Sequence, residues 1–220
     1  MSNFRKGDPI KSQLNQDINV INYYNKKQDG FFIEIGSDDG IQFSNTHLLE
    51  KEYGWKGICV EPNSASFSKL IQNRSCKCYN LAVYNKSNEI LKFAVKNFSM
   101  CSGLIDELDD NVEIDGKIHK RGLNNDLNNI IDVNTITLTD LLEKANAPNF
   151  IDYMSLDTEG SELEILKSND YTRYNFGVID VEHNFVEPRR TEIRNLLESN
   201  NYKFNFENKF DDNYIWSGSK

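Results

Sequence analysis

The stretch Phe31-Phe-Ile-Glu-Ile-Gly-Ser-Asp-Asp-Gly40 is the strongest structural signal in this 220-residue chain. Three consecutive apolar residues lead into an acid and then into a G-x-x-x-G loop, which predicts a buried strand that ends in a tight turn. Gly36 and Gly40 can adopt backbone angles that other residues avoid, and they leave room for a ligand to touch the main chain. A strand, a glycine loop and a helix together are typical of the floor of a site for a nucleotide-type ligand.

The rest of the chain alternates between apolar strand patterns and amphipathic helix patterns. This alternation predicts one α/β domain over residues 1–220, with a mainly parallel sheet, helices on both faces and a late hairpin that adds an antiparallel strand. We predict helices over 12–29, 46–53, 64–73 (with Phe67, Leu70 and Ile71 inward), 140–145, 158–166 and from Pro188 onward, and strands over 31–35, 57–61, 77–83, 90–95, 135–138, 151–157, 177–183, 202–206 and 213–216.

Residues 97–132 interrupt the alternation. The segments 106–110 and 122–129 are polar and only weakly periodic. Long irregular segments of this kind lie on the surface and often carry function. We therefore expect a surface insertion or lid that carries substrate selectivity, and the alternative is a solvated loop without a role.

The composition limits the classes of partner. The net charge of -9 and the isoelectric point near 4.9 argue against nucleic acid or an anionic membrane as the main partner, because both attract basic surfaces. The start of the chain lacks the apolar segment of a secretory signal, so we expect a cytoplasmic protein without membrane attachment. The oligomeric state stays open, and a homo-oligomer is possible.

Four cysteines, Cys59, Cys76, Cys78 and Cys101, could form two disulfides. In a protein without a secretory signal, four reduced thiols are the stronger expectation. Cys76 and Cys78 alternate around Lys77, which predicts a strand with both thiols on one face. Their spacing does not match a zinc site.

Acids stand at the ends of four predicted strands. These are Glu34, Glu61, Asp157 and Glu182, the last followed by His183. In an open parallel sheet, ligands bind at the edge where the carboxyl ends of the strands meet. The alternative for each acid taken singly is a helix cap or a solvated turn.

Glu61 and the glycine loop together point to a particular cofactor. A carboxylate at the end of the second strand can accept hydrogen bonds from both ribose hydroxyls. The loop lacks the G-x-G-x-x-G dinucleotide pattern, and Asp38 and Asp39 would repel a pyrophosphate. S-adenosylmethionine, which has no phosphate and carries a cationic centre, fits better than a nicotinamide dinucleotide. A nicotinamide-dependent dehydrogenase is the competing class of enzyme.

The motifs resemble the FkbM family of S-adenosylmethionine-dependent methyltransferases over roughly residues 28–205. The matching stretches are Ile33–Gly40, Ser44–Thr46, Gly54–Pro62, Tyr153–Glu162 and Val181–Asn184. The resemblance implies a class I, Rossmann-like methyltransferase fold, with a seven-stranded sheet whose last strand is antiparallel. It also implies methyl transfer, in many members to a hydroxyl of a sugar or glycan.

The resemblance implies roles for residues of this sequence. Glu34, Gly36 and Gly40 would hold the methionine part of the cofactor, with Ser37 and Asp38 in the same loop. The segment Ser44, Asn45 and Thr46 would cap the next helix and reach the carboxylate. Glu61 would bind the ribose, beside Pro62, while Leu81 and Ala82 would flank the adenine. Asp157 would lie beside the methyl donor.

Transfer to a hydroxyl needs a base or a metal near the acceptor oxygen. His183 is the candidate base, because histidine titrates near neutral pH. Asp157, Glu159 and Glu182 could orient it. Alternatively, Asp157, Glu182 and His183 could gather a hard cation such as Mg²⁺, although no spacing requires one.

Three further interpretations of function stay open from the sequence. The acceptor could be a nitrogen or a carboxylate of another small molecule. The chain could be a non-catalytic relative that serves as an interaction module. Methylation of an RNA ribose is disfavoured by the acidic composition.

Overall fold

The computed structural model describes residues 11–96, 99–108, 111–114, 117–120 and 127–218. The predicted domain also includes residues 1–10, 219–220 and parts of the 97–132 segment, which lie outside the described residues. The helices are α1 (Gln16–Tyr23), α2 (His47–Tyr53), α3 (Ser64–Asn73), α4 (Leu138–Lys144), α5 (Glu162–Lys167) and α6 (Arg189–Ser199). None of these described helices has the length and apolar composition needed to cross a bilayer.

Seven strands form the main sheet, in the order β12-β13-β11-β10-β1-β2-β3. They are β1 (Phe31–Ile35), β2 (Lys56–Val60), β3 (Lys77–Tyr79), β10 (Phe150–Leu156), β11 (Asn175–Glu182), β12 (Tyr202–Asn208) and β13 (Asp211–Trp216). Only β13 runs antiparallel to its two neighbours, whereas the other pairs are parallel. The predicted mostly parallel sheet with an antiparallel last strand is confirmed.

The two faces of the sheet build two separate apolar layers. In β1, Ile33 and Ile35 face one layer, which α4 and α5 cover with residues such as Leu141 and Leu166. Phe32 faces the other layer, together with Val20 of α1. The alternation follows from the two-residue period of a strand and explains why β1 is apolar at nearly every position.

A smaller sheet lies outside the main one, in the order β4-β9-β5-β6. Its strands are β4 (Ala82–Val83), β5 (Ile90–Lys96), β6 (Gly103–Leu104) and β9 (Leu127–Ile136). The single strand predicted over 77–83 is therefore wrong, because β3 pairs with the main sheet and β4 with the small one. The strand predicted over 135–138 is the end of the longer β9, and Leu138 already belongs to α4.

The segment 97–132 contains more regular structure than we predicted. A 3-10 turn (Ser99–Cys101) and β6 follow β5, and a hairpin joins β7 (Asn111–Ile114) to β8 (Lys117–Lys120). The first part of β9 also belongs to this segment. The polar composition hid these strands, and their pairing is not local throughout: β7 pairs with β8, but β6 and β9 both pair with β5.

The N-terminal helix is shorter than the predicted 12–29. It begins at Gln16 and ends at Tyr23. Asn25 and Lys26 have positive φ angles, so they break the helix before Gly30. Gly30 does not end the helix. It makes room for Trp55, because a Cβ at Gly30 would lie 2.5 Å from the Trp55 ring.

Helix α3 has the predicted bounds, and Asn63 caps it by accepting a hydrogen bond from the Ala65 N–H at 3.1 Å. One inward residue was predicted wrongly. Leu70 is fully buried, but Ile71 is 52% exposed. The apolar stripe of this helix is therefore narrower than the sequence suggested, and small residues such as Ser66 complete its buried face.

These two neighbouring residues allow a direct test of the packing. We expect Leu70→Ala to lower the free energy of unfolding by about 2–5 kcal/mol, because it leaves a cavity in a closed layer. Ile71→Ala, as the matched control, should change it by no more than about 0.5 kcal/mol. Urea unfolding followed by circular dichroism measures both values. Similar losses in the two variants would contradict this packing.

Candidate active site

The candidate site is a cavity at the carboxyl ends of β1, β2, β10 and β11. Its floor depends on the turn after β1. Gly36 has a φ angle of 87°, and a Cβ at this position would lie 1.8 Å from the carbonyl oxygen of Asp157. Only glycine therefore allows the loops after β1 and β10 to approach so closely. The contact brings the glycine loop and Asp157 to one wall of the cavity.

Beneath the glycine loop lies a buried ion pair. Arg74 follows α3, and its fully buried guanidinium group donates to Glu34 at 3.1 Å and to Glu50 at 2.8 Å. It also donates to the carbonyl oxygen of Gly40 at 3.3 Å. A Cβ at Gly40 would lie 2.7 Å from the Arg74 side chain, so the loop packs directly on the arginine stem. Arg74 is the main residue of this site that our sequence analysis missed.

Glu34 is held by donors on every side. Besides Arg74, its carboxylate accepts hydrogen bonds from Ser44 Oγ at 2.9 Å, the Asn45 N–H at 2.7 Å and Thr46 Oγ1 at 2.7 Å. Ser44 Oγ in turn accepts from the His47 N–H at 3.1 Å, where α2 begins. Glu34 lines the cavity, but its oxygens are engaged mainly with the protein, and it fixes the two loops to each other.

Glu61 follows β2 and lines the cavity beside the glycine loop. Its carboxyl oxygens accept from the Asp38 N–H at 3.0 Å and the Asn63 N–H at 2.8 Å. Burial, and then the negative charge of Asp38, raises the pKa of Glu61 to about 8. Glu61 and the glycine loop thus form one continuous surface.

Three carboxyl groups form a cluster, which we call the acid cluster, on the adjoining wall. Oxygens of Asp157, Glu159 and Glu182 all lie within 4.8 Å of one another. The Asp157 side chain is exposed to the cavity, and protein surrounds it on its other sides. Burial among these groups, and then the negative charge of Glu159, raises the pKa of Asp157 well above its usual range. Burial and the charge of Asp157 do the same for Glu182. Burial and the repulsion between neighbouring carboxylates therefore favour the protonated forms of Asp157 and Glu182.

The loop that presents Glu159 is shaped by Glu162, at the start of α5. One carboxylate oxygen of Glu162 accepts from the Thr158 and Gly160 N–H groups at 2.9 and 3.1 Å and from the Thr158 hydroxyl at 2.9 Å. Glu159 consequently has a φ angle of 58°. A Cβ at Gly160 would lie 1.8 Å from the carbonyl oxygen of Glu107, so this loop also packs against the 97–132 segment.

His183 does not join the other predicted catalytic residues. Its ring is buried and is not part of the cavity wall. Nδ1 accepts from the Phe185 N–H at 3.0 Å, and Nε2 faces Asp212 at 3.5 Å. Burial lowers the pKa of His183 to about 4, so the ring is neutral at physiological pH. His183 groups with Glu207 and Asp212, not with Asp157 and Glu182 as predicted for a metal site.

Most of the other predicted site residues line the cavity. Those on the wall are Glu34, Gly36, Ser37, Asp38, Ser44, Asn45, Glu61, Pro62, Leu81, Ala82, Asp157, Glu159 and Glu182. Gly40 and Thr46 lie behind it and act through Arg74 and Glu34. The sequence analysis missed residues such as Gln13, Phe43 and Phe210, which come from loops without a local signal. Asn184, in the stretch Val181–Asn184 on which the family resemblance rests, also lines the cavity.

Part of the 97–132 segment also reaches the cavity. Ser99, Cys101, Ser102 and Leu104 lie on its wall. Ser99 Oγ donates to Asp38 Oδ2 at 3.0 Å, which joins the segment to the glycine loop. This contact places the start of the segment beside the glycine loop, on the wall of the cavity.

The fold and the site define a class I methyltransferase that uses S-adenosylmethionine. The strand order, the glycine loop after β1 and the acid after β2 are the features of that class. The chain belongs to the FkbM methyltransferase family, since the model of the methyltransferase FkbM domain matches residues 34–204.

Several solved structures are similar to this chain at low sequence identity. TrmK of M. capricolum, in complex with S-adenosylhomocysteine, is 17% identical with a TM-score of 0.45, and the match covers 94% of this chain and 68% of that chain. Precorrin-6y C5,15-methyltransferase of Geobacter metallireducens is 11% identical with a TM-score of 0.47, covering 96% and 91%. No curated protein matches the sequence. The family assignment depends on the domain match and not on these distant structures.

The buried arginine gives a testable prediction. Arg74→Gln leaves the Glu34 carboxylate buried without its cation, so we expect a loss of about 3–5 kcal/mol in the free energy of unfolding. Arg173→Gln is the control, because Arg173 pairs with Glu143 at the surface, where ion pairs contribute about 0–1 kcal/mol. Chemical denaturation measures both. Equal effects of the two substitutions would show that the buried pair does not organise the loop.

The raised pKa of Glu61 leads us to expect that cofactor binding depends on pH. In the role that the sequence predicts for Glu61, its carboxylate accepts hydrogen bonds from the ribose hydroxyls, which favour the ionised form. The affinity for S-adenosylhomocysteine should then rise with pH until about 8, where Glu61 is ionised even without ligand. The same raised pKa also affects the ligand-free protein. The stabilising contribution of Glu61 is lost as the pH rises from its pKa in the unfolded chain, 4.5, to its pKa in the folded protein, about 8. Calorimetric titrations from pH 6 to 9 measure the affinity. An unchanged pH slope in Glu61→Gln would remove Glu61 from this role.

Proposed function

We propose that this enzyme transfers the methyl group of S-adenosylmethionine to a hydroxyl of a sugar, nucleotide sugar or glycan. The observation that carries the proposal is the acid cluster of Asp157, Glu159 and Glu182 beside the glycine loop. A hydroxyl is a poor nucleophile and needs a proton acceptor. Burial and neighbouring charges raise the pKa values of Asp157 and Glu182, and a carboxylate with a raised pKa is a stronger proton acceptor.

The cofactor fits the wall formed by β1 and β2. In this arrangement, Gly36 and Ser37 contact the methionine part, Glu61 accepts from the ribose, and Leu81 and Ala82 contact the adenine. Asp157, at the end of β10, then lies nearest the methyl group. Methyl transfer is a direct displacement at the methyl carbon, so holding the two reactants in line supplies much of the rate.

Glu182 is the group that we assign as the base. It is buried, and its Oε2 atom has no hydrogen-bond partner among the described residues. The acceptor hydroxyl would give its proton to the Glu182 carboxylate as the carbon–oxygen bond forms. Asp157 and Glu159 keep the proton affinity of Glu182 high, which suits this task. This assignment replaces His183, which faces Asp212 instead.

The remaining wall suits an acceptor with many hydroxyl groups. Gln13, Gln42 and Asn184 offer amide groups that can donate and accept, and Phe43 and Phe210 add flat apolar surfaces. The Nδ2 atom of Asn184 is buried and has no protein partner among the described residues. A few polar groups of this kind fix the orientation of a bound small molecule.

A divalent cation is a second form of the same proposal. Oxygen donors are the ligands that Mg²⁺ prefers, and Asp157, Glu159 and Glu182 could hold one. When bound, the cation would stabilise the negative charge on the acceptor oxygen. Activity that survives chelation would remove the cation from the proposal and leave the base unchanged.

A cytoplasmic location is also part of the proposal.

Two substitutions separate the two candidate bases. Glu182→Gln keeps the shape of the side chain but removes the proton acceptor, so we expect kcat to fall by about 10²–10⁴-fold with little change in S-adenosylhomocysteine affinity. His183→Gln should leave kcat within about threefold where the protein folds. Turnover with labelled cofactor measures both variants. Loss of turnover only in His183→Gln would return the base to His183.

The acceptor itself requires a direct assay. Labelled S-adenosylmethionine is incubated with a panel of nucleotide sugars, free sugars and glycans, with and without a chelator. We expect label in a methyl ether that resists mild base. Label in an ester or on a nitrogen would overturn the hydroxyl assignment while leaving the methyltransferase class intact.

A further inference from the structure

Two thiols touch behind the cofactor half of the site. The Sγ atoms of Cys76 and Cys59 lie 3.5 Å apart. A disulfide needs a distance of about 2.05 Å, so the sulfur atoms must approach each other by about 1.5 Å. Side-chain rotation and a small backbone shift supply movements of this size. Cys59 and Cys78 are the register partners in β2 and β3, yet it is Cys76 whose thiol contacts Cys59.

Cys59 also touches the buried ion pair. It is fully buried in β2, and its Sγ atom lies 3.7 Å from Glu34 Oε2, the same oxygen that Arg74 contacts. The thiol is therefore a weak donor to the carboxylate that fixes the glycine loop. Any reaction at Cys59 removes this donor and shifts its sulfur atom.

Solvent can reach Cys76 at the edge of the sheet where the amino ends of the strands lie. It is half-buried and lines a second cavity at the amino ends of β1, β2 and β3. Lys51, Lys56 and Lys77 line the same cavity. Glu50 also lines it, but Glu50 pairs with Arg74 as well as with Lys51, so the three ammonium groups leave an excess of positive charge that attracts an anionic small molecule. The opening is at the opposite edge of the sheet from the candidate active site, so an oxidant can enter without competing with the cofactor.

We propose that Cys59 and Cys76 form a reversible disulfide that weakens cofactor binding. The oxidant is an anionic low-molecular-weight disulfide. One protein thiolate attacks it and forms a mixed disulfide, releasing one small thiol. The second protein thiolate then attacks the mixed disulfide and releases the other small thiol. In sum, two protein thiols become one disulfide, and the small disulfide is reduced to two thiols.

The disulfide acts on the cofactor through Glu34. It removes the S–H donor of Cys59 and draws the sulfur atom away from the carboxylate toward Cys76. Loss of one hydrogen bond to a charged group predicts an affinity for S-adenosylhomocysteine that is lower by about 3–10-fold. Ser44, Thr46 and Arg74 still hold Glu34, which limits the loss of affinity to this size.

The cysteines can be mapped individually. Cleavage after lysine and arginine separates Cys59, Cys76 and Cys78 into three peptides, 57–69, 75–77 and 78–86. The full chain is equilibrated with mixtures of oxidised and reduced glutathione, alkylated and digested. We expect a cross-linked pair of 57–69 with 75–77 that disappears on reduction. A product joining 57–69 with 78–86, or no cross-link in the folded protein, would overturn the proposal.

Two half-buried cysteines provide matched variants. Cys76→Ser should abolish both the cross-link and the oxidation-dependent loss of S-adenosylhomocysteine affinity. Cys78→Ser should retain both at equilibrium, because its Sγ contacts the Cys76 carbonyl oxygen at 3.5 Å and not Cys59. A cross-link without any change in affinity would overturn the coupling to Glu34. These measurements need no acceptor, so they stand independently of the proposed hydroxyl methylation.

Discussion

The buried ion pair between Arg74 and Glu34 is the interaction on which the site depends. Desolvating two charges is costly, and the pair is favourable only where further hydrogen bonds satisfy both groups. Here Ser44, Asn45 and Thr46 complete the coordination of the carboxylate. The pair therefore ties together the glycine loop, the start of α2 and the end of α3, three segments that are distant in sequence.

The acid cluster has the opposite electrostatic character. The Arg74 guanidinium contacts both Glu34 and Glu50, whereas oxygens of Asp157, Glu159 and Glu182 lie within 4.8 Å of one another. Burial, and then the repulsion within the acid cluster, favours protonation of Asp157 and Glu182 and raises the pKa of both groups. The glycine loop thus lies over a carboxylate that a buried cation compensates, and the adjoining wall carries Asp157 and Glu182, whose raised pKa values favour proton exchange. This contrast is the physical basis for assigning the first to the cofactor and the second to the acceptor.

His183 shows why residue type alone is a poor guide to a catalytic role. Its sequence position, directly after Glu182, suggests that both side chains reach the same cavity. Neighbouring residues at the end of a strand point to opposite faces, however, because the side-chain period is two. Glu182 faces the other two members of the acid cluster. His183 lies near Asp212, which Arg190 also contacts at 2.7 Å. His183 thus shares the carboxylate of Asp212, on β13, with Arg190 of α6.

The sequence by itself determined the parallel sheet, the glycine loop and the acids that follow the strands. These features depend on local period and local backbone requirements, such as the positive φ angle of Gly36, which a single stretch records. Tertiary structure decided the rest. It brought Arg74 beneath Glu34, placed Cys76 against Cys59, and separated His183 from Glu182. Each of these outcomes depends on which residues distant in sequence meet, and local pattern carries no record of that choice.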